Sequence, residues 1–241
     1  IGSTVSVGEV MEVISAGHPN AATISSSVDN MAGSNPGGRM MVGILPVGAL
    51  DPVTPQNLAG IGVVQEMYLS NFGDFNFFPV PPGSFDALFL LNNKSPDGLN
   101  SITVIGLQEN ITVGTGGPTV NLPAFVYSSA GRQEVYGFVF DDLGNPVLGA
   151  RVLITDSSGN LAGFADTDQN GKWQVFNLPA DAAPRTYSFG ASHPDYDADP
   201  AVSELNDFPV TADTAPLEIG NLVLNQPAPP SDFTIYGYIH H

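Results

Sequence analysis

The sequence predicts an all-β protein built from tandem β-sandwich modules. Short apolar or alternating segments bounded by turn residues recur along the chain. No window of about 11 to 18 residues keeps an amphipathic helical stripe free of Gly and Pro. The 27 Gly and 21 Pro residues are typical of short strands joined by many turns. Related landmarks also recur at the spacing of a small module, as described below.

The strand signal is clearest in the second half of the chain. Five strands are predicted there, at residues 135–140, 150–155, 172–176, 186–191 and 217–224. Residues 141–146 and 156–160 are strong turn sequences. Near the N-terminus, residues 21–28 predict another strand, and residues 5–14 predict one or two more. Turns at this density are typical of a sandwich or barrel.

The charge balance restricts the classes of partner. Six Lys plus Arg face 24 Asp plus Glu, for a net charge of -18, so the chain lacks the basic clusters that bind nucleic acid. The same acidity disfavours anionic membrane surfaces. The sequence also contains no run of about 20 apolar residues, the length that predicts insertion into a membrane. With no cysteine there is neither a disulfide nor a thiolate site. Such a surface suits divalent cations, uncharged glycans or solubility.

Self-similarity predicts two modules and the start of a third. An apolar-Gly-apolar pattern is centred on Gly43, Gly137 and Gly237, at separations of 94 and 100 positions. Further landmarks recur in the same order after the first two glycines. Residues 71–77 correspond to 170–175, residues 80–83 to 178–180, and residues 85–89 to 186–189.

The second copy carries the sharper motifs. Residues 136–141 are followed by the turn Gly144-Asn145-Pro146 and by Gly149-Ala150-Arg151-Val152. Thr167-Asp168 precedes Gly171-Lys172-Trp173, and Leu178-Pro179 precedes Tyr187. These motifs, across residues 133–226, resemble a carboxypeptidase regulatory-like module. The loop at residues 192–196 departs from the family pattern, with Asp195 in place of Gly. The resemblance implies immunoglobulin-like/transthyretin-like β-sandwich modules in tandem.

Four parts are predicted along the chain. Residues 1–38 form an N-terminal strand-forming extension. Residues 39–130 form the first sandwich module, and residues 133–226 form the carboxypeptidase regulatory-like module. Residues 227–241 combine a Pro-rich linker with the first strand of a truncated third module.

Several side chains have predicted structural positions. Trp173 and Val175 are two residues apart in a strand, so they face the same side and are predicted core residues. Gly137 within a strand predicts a bulge or a close backbone approach. Phe75 and Phe77 are predicted to share the core. The neighbouring Phe72 or Phe78 is then exposed and could stack on a sugar. Tyr136, Tyr236 and Tyr238 form a second aromatic cluster with the same possible role.

Acidic clusters raise the question of a calcium site. Residues 166–171 fit the start of a calcium loop, but the twelfth position is Asn177 instead of the bidentate Glu that a helix-loop-helix site needs. Three aspartates alternate in a later loop. The alternative is that all these groups are solvated turn residues. The calcium candidates are Asp166, Asp168, Asn170, Asp195, Asp197 and Asp199; no other cofactor is predicted.

Catalytic motifs are absent from the sequence. There is no nucleophile elbow, no zinc-protease helix motif and no phosphate-binding loop. His18 and His193 each precede a proline and are interpreted as loop-shaping residues. No pair of the many carboxylates is singled out for glycoside hydrolysis. The chain is therefore predicted not to be an enzyme.

The favoured function is a structural or adhesive segment of an exported or cell-surface protein, acting as spacer or stalk modules. Its partners are then neighbouring modules of the same protein. One alternative is a module that binds a surface glycan or a protein, including self-assembly into fibres when residues 234–239 complete the sheet of another subunit. Another alternative is an accessory domain of a secreted hydrolase.

Overall fold

The structure, a computed structural model, describes residues 16–30, 38–49, 65–69, 73–94, 100–128 and 130–227. In these ranges it contains fifteen β-strands and one four-residue helix, which confirms the predicted all-β class. The first eight strands form the N-terminal sandwich: β1 Ala22–Asn30, β2 Arg39–Pro46, β3 Gln65–Leu69, β4 Gly73–Val80, β5 Gly83–Lys94, β6 Asn100–Val113, β7 Thr119–Asn121 and β8 Phe125–Tyr127.

The remaining elements form the C-terminal sandwich: β9 Arg132–Asp141, β10 Arg151–Asp156, β11 Leu161–Asp166, β12 Lys172–Pro179, β13 Arg185–Ser192, α1 Pro200–Ser203, β14 Glu204–Val210 and β15 Leu217–Leu224. All five strands predicted in this half are present, as is the strand predicted at residues 21–28. The strands predicted at residues 5–14 and 234–239 lie outside the described residues.

Each sandwich packs a small sheet against part of a large one. In the N-terminal sandwich the small sheet has the order β4-β1-β7, with β8 also pairing to β1, and it faces β6-β5-β2-β3. In the C-terminal sandwich β12-β9-β15 faces β14-β13-β10-β11. Apolar side chains fill the space between the sheets, which is the favourable burial that holds such a fold together.

The predicted core residues lie where expected. Phe75 and Phe77 are buried in the N-terminal core, at 2% and 1% exposure. Trp173 and Val175 are fully buried in the C-terminal core. The prediction for Gly137 is also correct, because a Cβ there would lie 2.6 Å from the carbonyl oxygen of Gly220.

The two sandwiches share one topology. Along the chain, both halves place one strand in the small sheet and the next two in the large sheet, and then repeat this order. Thus β1 corresponds to β9, β2 to β10, and so on to β6 and β14. The last position is filled by β7 and β8 in one half and by β15 in the other. In both halves this last strand pairs parallel to the first. The chain is therefore a structural repeat.

This topology corrects one of the sequence landmarks. The Gly43 pattern lies in β2 and the Gly137 pattern lies in β9, which is the counterpart of β1. Val42 and Ile44 are buried in the core, whereas Tyr136 and Phe138 face outward. An apolar-Gly-apolar pattern fits any well-buried strand, so it aligned two non-equivalent ones. The other landmarks are correct, since they pair β4 with β12 and β5 with β13.

The four-part division of the chain stays a prediction. Within its first part, β1 pairs with β4 of the predicted first module, from Ala22 opposite Val80 to Val28 opposite Gly73. Thus at least one strand of the predicted extension contributes to the N-terminal sandwich. In the part of the chain that the structure describes, no helix is long and apolar enough to span a membrane.

A single sheet runs through both sandwiches. Strand β11 pairs antiparallel with β6, with Gly163 opposite Thr103, Phe164 opposite Ile102, and Ala165 opposite Ser101. This pairing joins two four-stranded sheets into one of eight strands, ordered β14-β13-β10-β11-β6-β5-β2-β3. The third strand of one sandwich thus pairs with the sixth strand of the other. We call this contact the junction.

Candidate functional site

Two of the predicted calcium ligands are engaged within the C-terminal sandwich. The Asp166 carboxylate accepts two hydrogen bonds from the guanidinium of Arg151, at 2.8 and 3.0 Å. The Asp168 carboxylate accepts main-chain N–H bonds from Asn170 and Lys172, at 2.8 and 2.9 Å. These contacts use both oxygens of Asp166 in an ion pair and Oδ1 of Asp168 in a hairpin turn, in line with the polar-turn alternative derived from the sequence.

The other acidic cluster is spread along its loop. Asp197 exchanges two main-chain hydrogen bonds with Asn225, both at 2.9 Å. Asp199 caps α1, its carboxylate accepting from the Ala201 N–H at 3.0 Å. Among the residues described, no group of three or more His, Asp or Glu is placed to hold a metal ion. Calcium binding by these aspartates stays a prediction.

Three aspartates close turns by a common arrangement. Asp141, Asp156 and Asp168 each accept N–H bonds from the residues two and four positions later. Asp141 is the most buried and also accepts from the side chains of Asn145 and Gln226, both at 3.0 Å. The Asn145 bond, together with those of Gln226 and the main chain, lowers the pKa of Asp141. These carboxylates are anchors of turns.

Both described histidines shape loops, as the sequence analysis expected. His18 Nδ1 accepts the N–H of Asn20 at 3.2 Å, and His193 Nδ1 accepts the N–H of Asp195 at 3.1 Å. The His193 ring also packs edge-on against Tyr196, with 5.2 Å between ring centroids. Each imidazole therefore has a local structural contact.

The junction is reinforced by polar side chains. The Thr103 hydroxyl donates to the carbonyl of Phe176 at 2.5 Å. The Arg132 guanidinium donates to the carbonyls of Asn177 at 3.4 Å and Ile105 at 3.5 Å, so it contacts β12 and β6 together. Burial lowers the pKa of Arg132. The Tyr127 hydroxyl lies 3.2 Å from Asn177 Oδ1 and donates to it. Several bonds thus cross between the sandwiches.

A groove opens where β6 and β11 diverge beyond the junction. Its volume is about 980 Å³. Apolar side chains such as Leu88, Leu107 and Leu161 line it, and Asp86 and Asp156 lie among its polar residues. Its described lining contains neither His nor Lys. The groove combines apolar side chains with acidic and other polar groups.

An aromatic row crosses the outer face of the small C-terminal sheet. Tyr136, Phe138 and Phe140 alternate along β9 with core residues, so all three face away from the core and are half-buried. Ring centroids are 6.3 Å apart for Tyr136 and Phe138, and 6.1 Å apart for Phe138 and Phe140. The sequence analysis named Tyr136 for an aromatic cluster but did not single out Phe138 and Phe140. The signal was available as three aromatics alternating with Gly137 and Val139.

Polar groups flank this aromatic row on both neighbouring strands. On β15, Glu218 Oε2 accepts a hydrogen bond from the Tyr136 hydroxyl at 3.1 Å. This bond raises the pKa of Tyr136. On β12, the ammonium of Lys172 lies 5.4 Å from the Tyr136 ring centroid. Asn221 of β15 is exposed opposite Phe138. The outer face therefore combines aromatic rings with hydrogen-bond donors and acceptors.

Comparison with known proteins gives similar structures only. No family model matches the sequence, and no curated protein matches it. The Bacillus anthracis TIE protein is 14% identical with a TM-score of 0.31, over 86% of this chain and 34% of that one. A mutant of the shaft pilin SpaA from Lactobacillus rhamnosus GG is 12% identical with a TM-score of 0.30, over 87% and 100%.

An enzyme also occurs among the similar structures. The 3-chlorocatechol 1,2-dioxygenase from Rhodococcus opacus is 14% identical with a TM-score of 0.29, over 39% of this chain and 59% of that one. Pilus shaft and adhesin domains and a dioxygenase thus share partial likeness with this chain. At TM-scores near 0.3 these likenesses assign no function.

Proposed function

We propose that this chain is a non-catalytic structural and adhesive segment of an exported or cell-surface protein, in which the two sandwiches act together as a stiff spacer. The observation that carries this proposal is the junction. Tandem modules joined only by a linker reorient freely, whereas β6 and β11 are hydrogen-bonded within one sheet. A spacer made this way holds a fixed distance between its neighbours in the parent protein.

Side chains at the junction support its stiffness. Pairing limited to three residues would be a weak link by itself. Thr103 and Arg132 add bonds that reach the carbonyls of Phe176 and Ile105 on the opposite sandwich. Gly163 lets the strands approach, because a Cβ there would lie 2.7 Å from the carbonyl oxygen of Ile102. Separation of the sandwiches would expose all of these groups.

One of the two edges of the shared sheet, at β14, offers little room for a further strand, as suits a spacer of finite length. In β14 the bulge at Asp207, with φ 56°, corresponds to the bulge at Asn110 of β6, with φ 60°. Counting back from these bulges, residues 197–203 correspond to residues 100–106. That range includes residues 101–103 of β6, which form the junction with β11. Helix α1 lies there instead. Together with Pro209 in β14, it leaves little edge for another strand.

We propose further that the C-terminal sandwich is a carboxypeptidase regulatory-like module. Two of its motif residues have clear structural roles. The buried Thr167 hydroxyl donates to the carbonyl of Val147 at 2.6 Å and accepts the N–H of Ala150 at 2.9 Å. The Tyr187 hydroxyl donates to the carbonyl of Pro179 at 2.5 Å. Both tie turns of the motif to strands, which supports a scaffold role for these residues.

The proposal includes no catalytic role and no required cofactor. Calcium binding at the candidate aspartates is a separate proposal, tested by thermal unfolding with calcium and then with chelator. A rise in Tm that the chelator reverses would support a site. Assembly through residues 234–239 likewise remains a proposal, tested by whether their deletion removes self-association.

Resistance to mechanical force tests the spacer function. The chain has no cysteine, so Ser84→Cys and Asn221→Cys place one handle on an exposed position of each sandwich. We expect single-molecule pulling between these handles to show constant extension until one sandwich unfolds. Reversible lengthening at low force, before any unfolding, would show that the sandwiches separate under load and would overturn the spacer function.

A further inference from the structure

The two sandwiches provide an internal comparison for the aromatic row. In β9, Gly137 lies opposite Trp173 and Val135 lies opposite Val175. In β1, Ser26 lies opposite Phe75 and Ile24 lies opposite Phe77. These pairs, all buried except for the half-buried Ser26, set the register in which β1 and β9 correspond.

In this register the outward residues of the two strands differ in character. Tyr136, Phe138 and Phe140 of β9 correspond to Ser25, Ser27 and Asp29 of β1. Ser25 donates a hydrogen bond to Asn76 Oδ1 at 2.6 Å, as expected of a water-facing sheet surface. The same topology thus folds with serine and aspartate at these positions. The aromatic row is not a requirement of the fold.

The aromatic row does not contribute to the core either. The C-terminal core contains Val135 and Val139 from β9, but none of the three aromatic residues. Their rings contact one another, and the Tyr136 ring also contacts the ammonium of Lys172. Three aromatic side chains side by side on the outer face of a sheet lose favourable burial unless something covers them.

We propose that the outer face of β12-β9-β15 binds an uncharged polysaccharide, with Tyr136, Phe138 and Phe140 as its stacking surface. Sugar rings present C–H groups on one face and hydroxyls around their edge. The aromatic rings stack against the C–H face. Lys172, Glu218 and Asn221 supply hydrogen-bond donors and acceptors for the hydroxyls. This inference deepens the adhesive part of the proposed function and rests on it.

Charge selects the uncharged polysaccharide over other occupants. The net charge of -18 opposes an acidic polysaccharide and also opposes face-to-face pairing with a second copy. The aromatic row is flanked by one positive and one negative side chain, Lys172 on β12 and Glu218 on β15. These flanks therefore favour neither a cationic nor an anionic ligand strongly. Hydroxyl groups, which donate and accept, suit such a mixed border.

The sequence repeats the aromatic pattern once more. Tyr236-Gly237-Tyr238 matches Tyr136-Gly137-Phe138 at a spacing of 100 residues. A polymer with many identical sugar units can engage several copies of such a pattern at once, and linked weak sites bind a polymer far more tightly than one site does. Repetition of the pattern therefore fits a polysaccharide better than a single compact ligand.

The test is affinity electrophoresis of the full chain in native gels. The neutral probes are hydroxyethyl cellulose, β-1,3-glucan, xylan, mannan, soluble chitin oligosaccharide and soluble starch; alginate is the acidic probe. The variant Tyr136→Ser/Phe138→Ser introduces the residues that β1 carries, and Ser25→Ala/Ser27→Ala is the matched control on the other sandwich. Fluorescence of Trp173, the single Trp of the chain, confirms folding of the variants.

We expect at least one neutral probe to retard the wild type and the control. In the Tyr136→Ser/Phe138→Ser variant we expect the affinity to fall by at least about tenfold. Retardation by none of the neutral probes, or by alginate alone, would overturn the inference, as would a folded variant that binds as the wild type does. If the variant misfolds, Phe138→Ser alone replaces it.

Sedimentation velocity tests the competing occupant of this face, which is a second copy of the chain. Wild-type dimers that dissociate in the Tyr136→Ser/Phe138→Ser variant would assign this face to self-association and overturn the polysaccharide proposal. The pulling experiment is independent of both results, because its handles report on the junction. A chain that bears load and binds no glycan remains a spacer without this adhesive face.

Discussion

Thr103 on β6 donates its hydroxyl to the main-chain carbonyl of Phe176 on β12, at 2.5 Å. The bond joins a strand of the shared sheet in one sandwich to a strand of the small sheet in the other. Thr103 is fully buried. The contact between the sandwiches is therefore a packed interface with its own hydrogen bonds, and the following variants measure how much it contributes.

Replacing Thr103 with Val keeps the side-chain shape and removes the hydroxyl. The Phe176 carbonyl then loses its partner in a partly buried setting, so we expect the free energy of unfolding to fall by about 1–3 kcal/mol. Urea unfolding followed by Trp173 fluorescence measures it. Thr112→Val, at an exposed position of the same strand, should change stability by less than about 0.5 kcal/mol. Equal effects of the two substitutions would show that the junction bond contributes nothing.

The Gly163→Ala substitution tests the close approach of β6 and β11. The new Cβ would lie 2.7 Å from the Ile102 carbonyl oxygen, so the strands must shift apart at the junction. We expect a loss of about 1–3 kcal/mol, as for other overpacking substitutions. In Gly190→Ala the nearest atom is Glu204 Cγ at 3.6 Å, which is ordinary contact, so this control should be close to neutral. A stable Gly163→Ala variant with native exchange protection at residues 101–103 would contradict the close approach.

Gly137→Ala tests the packing of the small C-terminal sheet. Its Cβ would lie 2.6 Å from the Gly220 carbonyl oxygen and 2.9 Å from the Trp173 ring. Because neither the neighbouring strand nor the fully buried indole can move freely, we expect about 1–3 kcal/mol of destabilisation and a shifted Trp173 emission. Gly114→Ala has no atom within 4 Å of the new Cβ and serves as control. An unshifted emission with unchanged stability would refute this packing.

Asp141 links stability to acidity. Hydrogen bonds from Asn145, Gln226 and the main chain hold its pKa below the ordinary value of 3.8. Its ionised form therefore stabilises the fold above about pH 4, and this contribution is lost as the pH falls through the lowered pKa. We expect Asp141→Asn to lower Tm at pH 7, with the gap to wild type narrowing towards pH 2. A gap that stays constant with pH would contradict this account.

Much of the fold could be predicted from local patterns. Trp173 and Val175 alternate in an apolar strand, and Asp156 to Asn160 form a turn, so short-range sequence determines these features. The equivalence of the modules was harder to predict, because the pattern around Gly43 fits a buried strand of either sheet. Only the pairing of β1 with β4 and β7 distinguishes the two positions.

The junction and the aromatic face depend on long-range contacts. Nothing local to Ser101 or Ala165 indicates that they pair, since 63 residues separate them along the chain. For the acidic calcium candidates, a local pattern indicated a site, but long-range and main-chain contacts use the ligand atoms in other ways. Asp166 and Asp168 fit a ligand pattern, yet Arg151 and two main-chain N–H groups engage their oxygens. The row that Tyr136 forms with Phe138 is recognised as a surface only by comparison with Ser25 and Ser27.

The stiffness of the pair of sandwiches is the central claim, and the distance between them measures it most directly. Nitroxide labels on Ser84→Cys and Asn221→Cys report that distance by double electron-electron resonance, with no native cysteine to interfere. We expect a single narrow distance distribution, which broadens in the Gly163→Ala background. A broad or multimodal distribution in the otherwise unmodified chain would mean that the sandwiches move independently, and it would contradict the shared sheet.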